Sequence, residues 1–379
     1  MSALELLIGD ARTFQDKVWA SRSHVHRTDP DRLVGLLRLA DVDRLLTASA
    51  VRTPAVRVAR DGTVLEESAY TRKGASLAGK PLTGLVDPRR ALALFEEGAT
   101  LVLQGLHRYH EPLAELVAQL ELELGHPCQA NAYLTPPGAQ GFALHSDAHD
   151  VFVFQTAGRK QWEIHGPDGR EDLTLEPGVA MYLPAGTKHA ARTEQEVSLH
   201  VTLGINQLTW RGLVRRTVEQ ALAAVPDTHL PAGYPDEPEL LSAGLAEQLV
   251  ALADAISAVD AGAAARAEVR RFLTTRPTRV AGGLTDALAL RDGLTDTTRL
   301  RRRPGHPCTL LDPADGGERI EVLLGDRCLD VPSRLRPALE EVRSRAELRP
   351  ADLGAHLDPQ SRLVLCRRLV REGLLEVVD

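Results

Sequence analysis

Apolar residues recur along this chain with two periods, and the switch between them divides it. Up to about residue 100, helical stretches (DPDRLVGLLRLADVDRLLT, DPRRALALFEEG) alternate with short β-prone pieces such as AVRVARDGTV, where Asp61-Gly62 is a hairpin signal. LAELVAQLELELG then spaces apolar residues helically and ends on Gly125, a C-cap residue. From Gln129 to about Gly204, short runs (QANAYLT, FALHSD, VFVFQTAG, KQWEIHG, LTLEPG, VAMYLPAG, VSLHVTLG) are punctuated by Pro and Gly. That rhythm predicts an all-β sandwich or barrel. After Asn206 the period is helical again, in LTWRGLVRRTVEQALAAV and GLAEQLVALADAISAVDAGAAARAEVRRFL, with PDTHLPAGYPDEPE between them. The last part offers β-like PCTLL and RIEVLL, helices in PSRLRPALEEVRSR and DPQSRLVLCRRLVREG, and a closing LLEVV, the order of a winged helix. The expected organisation is α+β and multidomain: residues 1–205 with a strand core at about 100–205, a helical subdomain at 206–285 and a winged-helix-like domain at 286–379.

Composition narrows this picture. At 379 residues, two or three domains are expected. The 43% hydrophobic and 26% charged content is that of a soluble globular protein, and no apolar run reaches the roughly 20 residues of a membrane span. The N-terminus has neither a basic leader nor a cleavage site, so a cytoplasmic location is expected. Four scattered cysteines, Cys128, Cys308, Cys328 and Cys366, form no CxxC pair and argue against disulfides or structural zinc. A net charge of -7 gives no global pull toward nucleic acid. Lysine occurs only at 17, 73, 80, 160 and 188, and the last two fall in the segment that carries the chemistry.

In FALHSDAHDVFVF, His145 and Asp147 stand two apart, so strand alternation turns both to one face. YLPAGTKHAA supplies His189 from another strand. Two imidazoles and one carboxylate on one face of a metal leave positions open, as in non-haem Fe(II) oxygenases; zinc favours closed ligation or a single open position. A His-x-Asp triplet is common on surface loops, and it is the downstream PxGxxH at a strand end that gives this one weight. His149 and Asp150 compete for ligation, but His149 lies beyond a second alternation and Asp150 points to the other face. Lys160 shares a strand face with Trp162; a lysine pointing into a barrel needs an anion, and the C5 carboxylate of 2-oxoglutarate is one. An outward, solvated Lys160 is the alternative. Asn131 and Tyr133 share a face of the first core strand, and Thr202 lies on the last; all three are candidates to bind the same carboxylate, or simply wet-face residues. His165 and His200 read as structural, His110 and His126 as surface residues.

Taken together, TPPGAQGFALHSDAHDVFVFQTAGRKQW and PAGTKHAA resemble the JmjC-type ribosomal oxygenases of the cupin-4 group, a family that includes a bacterial arginine hydroxylase and eukaryotic histidine hydroxylases of ribosomal proteins. The resemblance spans about residues 100 to 205. It implies a double-stranded β-helix (cupin/JmjC) core, a helical dimerisation subdomain and a C-terminal winged helix. It also implies His145, Asp147 and His189 as Fe(II) ligands, Lys160 as the 2-oxoglutarate partner, Asn131 and Tyr133 in the pocket, and O2-dependent hydroxylation of a protein or peptide side chain. One departure is the stretch EIHGPDGREDLTLEPGVAMYLP, shorter than in those enzymes, which puts the ribosomal substrate in question.

Two other readings compete: a non-catalytic metal-binding cupin module whose winged helix contacts DNA, and a metal-dependent isomerase or dioxygenase without 2-oxoglutarate. Neither needs a buried cation at Lys160. A small-molecule hydroxylase is also open. The expected partners are a protein or peptide substrate and a second copy of the chain, joined through helices between about Leu208 and Leu273 whose apolar residues occupy more than one face. No DNA binding is expected, because the arginines of LEEVRSRAELRPADL are interleaved with acids.

Overall fold

The computed structural model describes residues 2–60, 62–139, 143–167, 169–193, 195–223, 225–312 and 317–378. Two compact units result, 1–207 and 208–379.

The first unit opens with helices α1 (Ala3–Ile8) and α2 (Ala11–Lys17), strand β1 (His24–Arg27), and helices α3 (Pro30–Val34) and α4 (Leu39–Ala48). Strands β2 (Val56–Arg60) and β3 (Thr63–Val64) form the expected hairpin, pairing Arg60 with Thr63; Asp61 of its turn lies outside the described residues. Four two-residue strands follow, β4 (Thr71–Arg72), β5 (Ser76–Leu77), β6 (Lys80–Pro81) and β7 (Leu85–Val86). Next come α5 (Pro88–Glu96), β8 (Thr100–Leu103) and α6 (Glu111–Leu124), which ends on Gly125 at φ 72°, the left-handed cap anticipated from sequence.

The strand-rich segment then supplies β9 (Cys128–Thr135), β10 (Asp150–Ala157), β11 (Lys160–Gly166), β12 (Gly169–Leu175), β13 (Val179–Leu183), β14 (Lys188–Arg192) and β15 (Ser198–Ile205). They fold into an eight-stranded antiparallel sheet, ordered β1-β13-β10-β15-β9-β8-β2-β3, and a three-stranded sheet, β12-β11-β14. Period-2 alternation assigns the faces of the large sheet. On one face Leu101, Leu103, Ala130, Ala132, Leu134, Phe152, Phe154, Val201 and Leu203 join a core with Leu4, Leu7, Phe14, Leu113, Leu116 and Leu120 of the helices. On the other, Val151, Val153 and Met181 meet Trp162, Ile164 and Leu175 of the small sheet. The helices thus seal one side of the large sheet, and the small sheet closes over the other.

The second unit contains α7 (Trp210–Leu222), α8 (Glu239–Ser257), α9 (Ala261–Thr274) and α10 (Gly283–Asp292), then β16 (Arg299–Arg302), β17 (Thr309–Leu311), β18 (Arg319–Leu323), β19 (Cys328–Pro332), α11 (Arg336–Ser344), β20 (Glu347–Leu348), α12 (Pro359–Arg371) and β21 (Leu375–Val378). Its strands form two antiparallel sheets, β20-β16-β21 and β17-β18-β19. Leu300, Ile320, Val322, Leu339, Val342, Cys366 and Leu369 build its core. α8 is long and apolar enough to cross a membrane, with a mean hydropathy of 1.3, and none of it is buried.

Candidate metal centre and cosubstrate cavity

His145 lies outside any regular strand, in an isolated β-bridge with His189. Alternation along a continuous strand is therefore not what turns His145 and Asp147 together, contrary to the sequence expectation; Phe142, read into that strand, lies outside the described residues. The bridge does the work instead. The His145 amide donates to the His189 carbonyl at 3.0 Å and the His189 amide donates back at 2.7 Å, joining segments distant in sequence. Beside them the Gly186 amide of the Pro-Ala-Gly turn donates to the Asp147 carbonyl at 2.8 Å, so this turn anchors one ligand while leading to another.

Asp150 locks the turn. Its carboxylate accepts from the Tyr182 hydroxyl at 2.5 Å, the Ala185 amide at 2.8 Å and the Gln207 side-chain amide at 2.7 Å. It is buried, fully engaged and not a metal ligand. His149 is not grouped with the triad either; it lies over Gly204, where an added Cβ would come within 2.6 Å of its Nε2.

One potential ligand atom each from His145, Asp147 and His189 lies within 4.8 Å of the others, and His189 Nε2 is 3.7 Å from Asp147 Oδ2. The hydrogen bonds of the two imidazoles test whether this set suits a metal. His145 Nδ1 is 2.8 Å from the Ala143 carbonyl and His189 Nδ1 is 2.9 Å from the Thr187 carbonyl. A carbonyl only accepts, so each Nδ1 carries a proton and Nε2 is the nitrogen a metal would take. Burial of His189 lowers its pKa, which favours the neutral ligand form, with the neighbouring His145 adding to the effect. Two imidazoles oriented in this way and one carboxylate fit a 2-His-1-carboxylate metal.

The triad opens into a cavity of about 240 Å³ between the sheets, lined also by Arg57, Thr100, Tyr133, Val151, Val153, Lys160, Trp162, Ala191, His200 and Thr202. Lys160 points inward with Trp162, as alternation on β11 predicts, and is 3% exposed. Its Nζ donates to Thr135 Oγ1 at 3.1 Å, and that oxygen also accepts from Thr100 Oγ1 at 3.1 Å. No carboxylate among the described residues pairs with it, and burial pushes its pKa down to about 7. A buried amine without a counter-charge suits an arriving anion. Two further polar atoms await a partner: Trp162 Nε1 and His200 Nδ1 are buried without a hydrogen bond. His200 stacks on Tyr133 with ring centroids 4.8 Å apart. A cavity with such orphaned groups at one end and a metal triad at the other fits a dicarboxylate that also chelates the metal.

Tyr133 and Thr202 line this cavity, whereas Asn131 does not: its Oδ1 accepts from the Gly105 amide at 3.0 Å. His200, read from sequence as structural, is a cavity-wall residue, because alternation on β15 puts it on the same face as Thr202. His165 faces away and bonds Glu163 at 2.6 Å. His110 and His126 are half-buried, His110 against the Leu36 carbonyl at 2.8 Å and His126 stacked on Trp19. Sequence reasoning missed Arg57, Thr100 and Thr135. Thr135 was within reach, lying two residues beyond Tyr133 on the same strand face; β2 and β8 gave no sign that they flank the cavity.

The JmjC domain model matches residues 108–171 and 166–213, the segment that carries the triad and Lys160. The chain is 28% identical over 251 residues to a bifunctional lysine-specific demethylase and histidyl-hydroxylase NO66 of Culex quinquefasciatus, covering 59% of this chain and 37% of that protein. With ribosomal oxygenase 1 of Homo sapiens it shares 28% identity over 241 residues, 57% of this chain and 36% of that protein. The chain therefore spans little more than a third of the length of these relatives. The JmjC fold extends to a solved structure, the ribosomal oxygenase YcfD of Escherichia coli, which superposes with a TM-score of 0.54 at 20% identity over 98% of this chain and 99% of that one. YcfD has also been solved in complex with cobalt and 2-oxoglutarate.

Proposed function

We propose that this chain is an Fe(II)- and 2-oxoglutarate-dependent oxygenase that hydroxylates a side chain of a protein or peptide. One observation carries the reading: the His145/Asp147/His189 triad and the unpaired, buried Lys160 share a single cavity. His145, Asp147 and His189 would hold the iron, and Lys160 with Thr135 would hold the far carboxylate of the cosubstrate, with Tyr133, Thr202 and His200 in the wall and Asn131 supporting β9 from the Gly105 side. Bound iron and 2-oxoglutarate supply the oxidising power, one O2 oxygen going to the substrate C–H bond and the other to succinate as CO2 leaves. The chain's own part is to orient both imidazoles through their Nδ1 hydrogen bonds, to orient the cosubstrate through a charge at one end, and to exclude water with Val151, Val153 and Trp162. No general base is required.

Support for a ribosomal-protein substrate comes from the names of the similar human and E. coli proteins; the short connection between Lys160 and His189 keeps other protein substrates in contention. For the second unit, the proposal is a helical dimerisation region and a winged-helix-like end (206–285 and 286–379) that contacts protein and not DNA, in a protein that works in the cytoplasm. The apolar residues of α8 support the dimer: Leu245, Leu249 and Val250 are more than half exposed. Glu247 and Asp254 on the same helix favour a second copy over a lipid phase as the cover.

The test is direct. The purified chain should bind one Fe(II) and turn over 2-oxoglutarate slowly without substrate, and a captured substrate should gain the mass of one oxygen atom. Iron binding without any succinate formation would favour the non-catalytic cupin module. Light scattering that shows a monomer at micromolar concentration would remove the dimer.

A further inference from the structure

Arg57 is the cavity residue that neither the metal nor the cosubstrate accounts for. It lies on β2, outside the matched JmjC segment, yet lines the same cavity. Cross-strand register fixes its place: Arg57 pairs with Val102, Val102 with Tyr133, and Tyr133 with His200, so these residues form one row across the sheet. Lys160 is anchored in the next row, where the Thr100 and Thr135 hydroxyls meet. Rows two residues apart are about 7 Å apart along a strand. Arg57 thus stems from a different row than the one that anchors Lys160.

Arg57 has no ion pair among the described residues, and its Nε is buried without a hydrogen-bond partner. Its charge is felt by Tyr133 in the same row, and by Tyr70 as well. The sum of charges in the lining bears on its role. With Fe(II) bound, the lining carries the metal's two positive charges, one each on Arg57 and protonated Lys160, and one negative charge on Asp147. Dianionic 2-oxoglutarate leaves one positive charge over in the lining.

We propose that Arg57 selects the primary substrate by pairing with a carboxylate, an Asp or Glu side chain close to the residue that is oxidised. The inference rests on the oxygenase reading. A planar guanidinium partly withdrawn from water is suited to bidentate recognition of a carboxylate, whereas a neutral amide would leave it without a counter-charge. Arg57 is on this account a specificity residue and takes no part in oxygen chemistry.

The experiment uses the full chain loaded with Mn(II) and saturated with N-oxalylglycine, an inert 2-oxoglutarate analogue, so that binding is read without turnover. The probe is a positional-scanning library of acetylated hexapeptide amides, in which side chains are the only carboxylates. At one position the wild type should retain Asp or Glu members about tenfold over Asn or Gln. Arg57→Gln should reduce this preference to twofold or less while N-oxalylglycine affinity, measured by calorimetry, stays within twofold; Arg57→Lys should keep part of the preference. Equal retention of acidic and amide members by the wild type, retention of nothing, or an unchanged preference in Arg57→Gln would overturn the proposal. A tenfold loss of N-oxalylglycine affinity in Arg57→Gln would overturn it differently, by making Arg57 a cosubstrate residue. Failure of the Mn(II)-loaded wild type to bind N-oxalylglycine at all is a separate result, and it would sink the oxygenase reading.

Discussion

Among the described residues each unit buries one lysine or arginine, and the two are treated in opposite ways. In the second unit Arg303, 4% exposed, is paired with Asp286, whose other oxygen accepts the Val377 amide at 2.8 Å. In the first, Lys160 is as deeply buried but touches only a threonine hydroxyl. Arg303 and Asp286 tie α10 to the β16-β21 region, so their charges are answered when the chain folds. Lys160 remains unanswered and its pKa falls to about 7, a cost that makes sense only if something is to arrive. A buried charge with its partner in the chain is architecture; one without a partner marks a binding site.

The largest effect should come from the other end of the cavity, because the anion that answers Lys160 also needs the metal. His145→Ala, Asp147→Ala and His189→Ala should each lose stoichiometric Fe(II), read by metal analysis, and with it all succinate formation, while circular dichroism stays native. Succinate formed at the wild-type rate by any of the three would mean the triad is not the metal site. Next in size, Asp286→Ala should destabilise the protein by about 3 to 5 kcal/mol in denaturant unfolding, because it strands Arg303. An apolar replacement of both partners should cost far less, since neither charge is then left alone.

Lys160→Met breaks the comparison if the two cations are equivalent. It should leave folding stability unchanged or raised, since no partner is stranded, and keep Fe(II). It should nevertheless weaken 2-oxoglutarate by about two to three decades, the equivalent of roughly 3 to 4 kcal/mol, in calorimetric titration. A destabilised Lys160→Met protein with normal cosubstrate affinity would make Lys160 a second Arg303.

What could be read from the sequence follows the same division. Alternation is a local rule, so it correctly put Lys160 beside Trp162 and Tyr133 on the cavity face. Applied to Asn131 it gave the right face but not the outcome, because the Gly105 amide claims that side chain. For His145 and Asp147 it named two residues that do come together, but by a different route: a bridge to His189 and a turn pinned by Asp150 bring them together, and both are long-range contacts. His200 was misread because the stacking that hides it and the cavity that uses it become visible only when β9 and β15 pair. Arg57 was unreadable for a related reason, since it reaches the site through β8, two strands from the motif.

The smallest effect is a dependence on pH that Lys160 should impose and Arg303 should not. Folding lowers the Lys160 pKa from 10.5 to about 7, so between those values the unfolded chain holds a proton that the folded one lacks. Stability should therefore rise with pH across that window, and below about 7 the full cost of the buried charge is present. The groups around the amine do not obscure this: Thr135 and Thr100 do not titrate, and burial holds His200 neutral. Binding a carboxylate reverses the shift by favouring the ammonium, so above pH 7 the cosubstrate must bind together with a proton. Affinity should then be about fivefold weaker at pH 8 than at pH 7, from the change in the protonated fraction of a group with pKa near 7. Calorimetry of 2-oxoglutarate binding to the Mn(II) protein at pH 8, in buffers of different ionisation enthalpy, should show uptake approaching one proton, absent in Lys160→Met. Equal proton uptake by the two proteins would mean that the titrating group is not Lys160, and that the amine meets its counter-charge elsewhere.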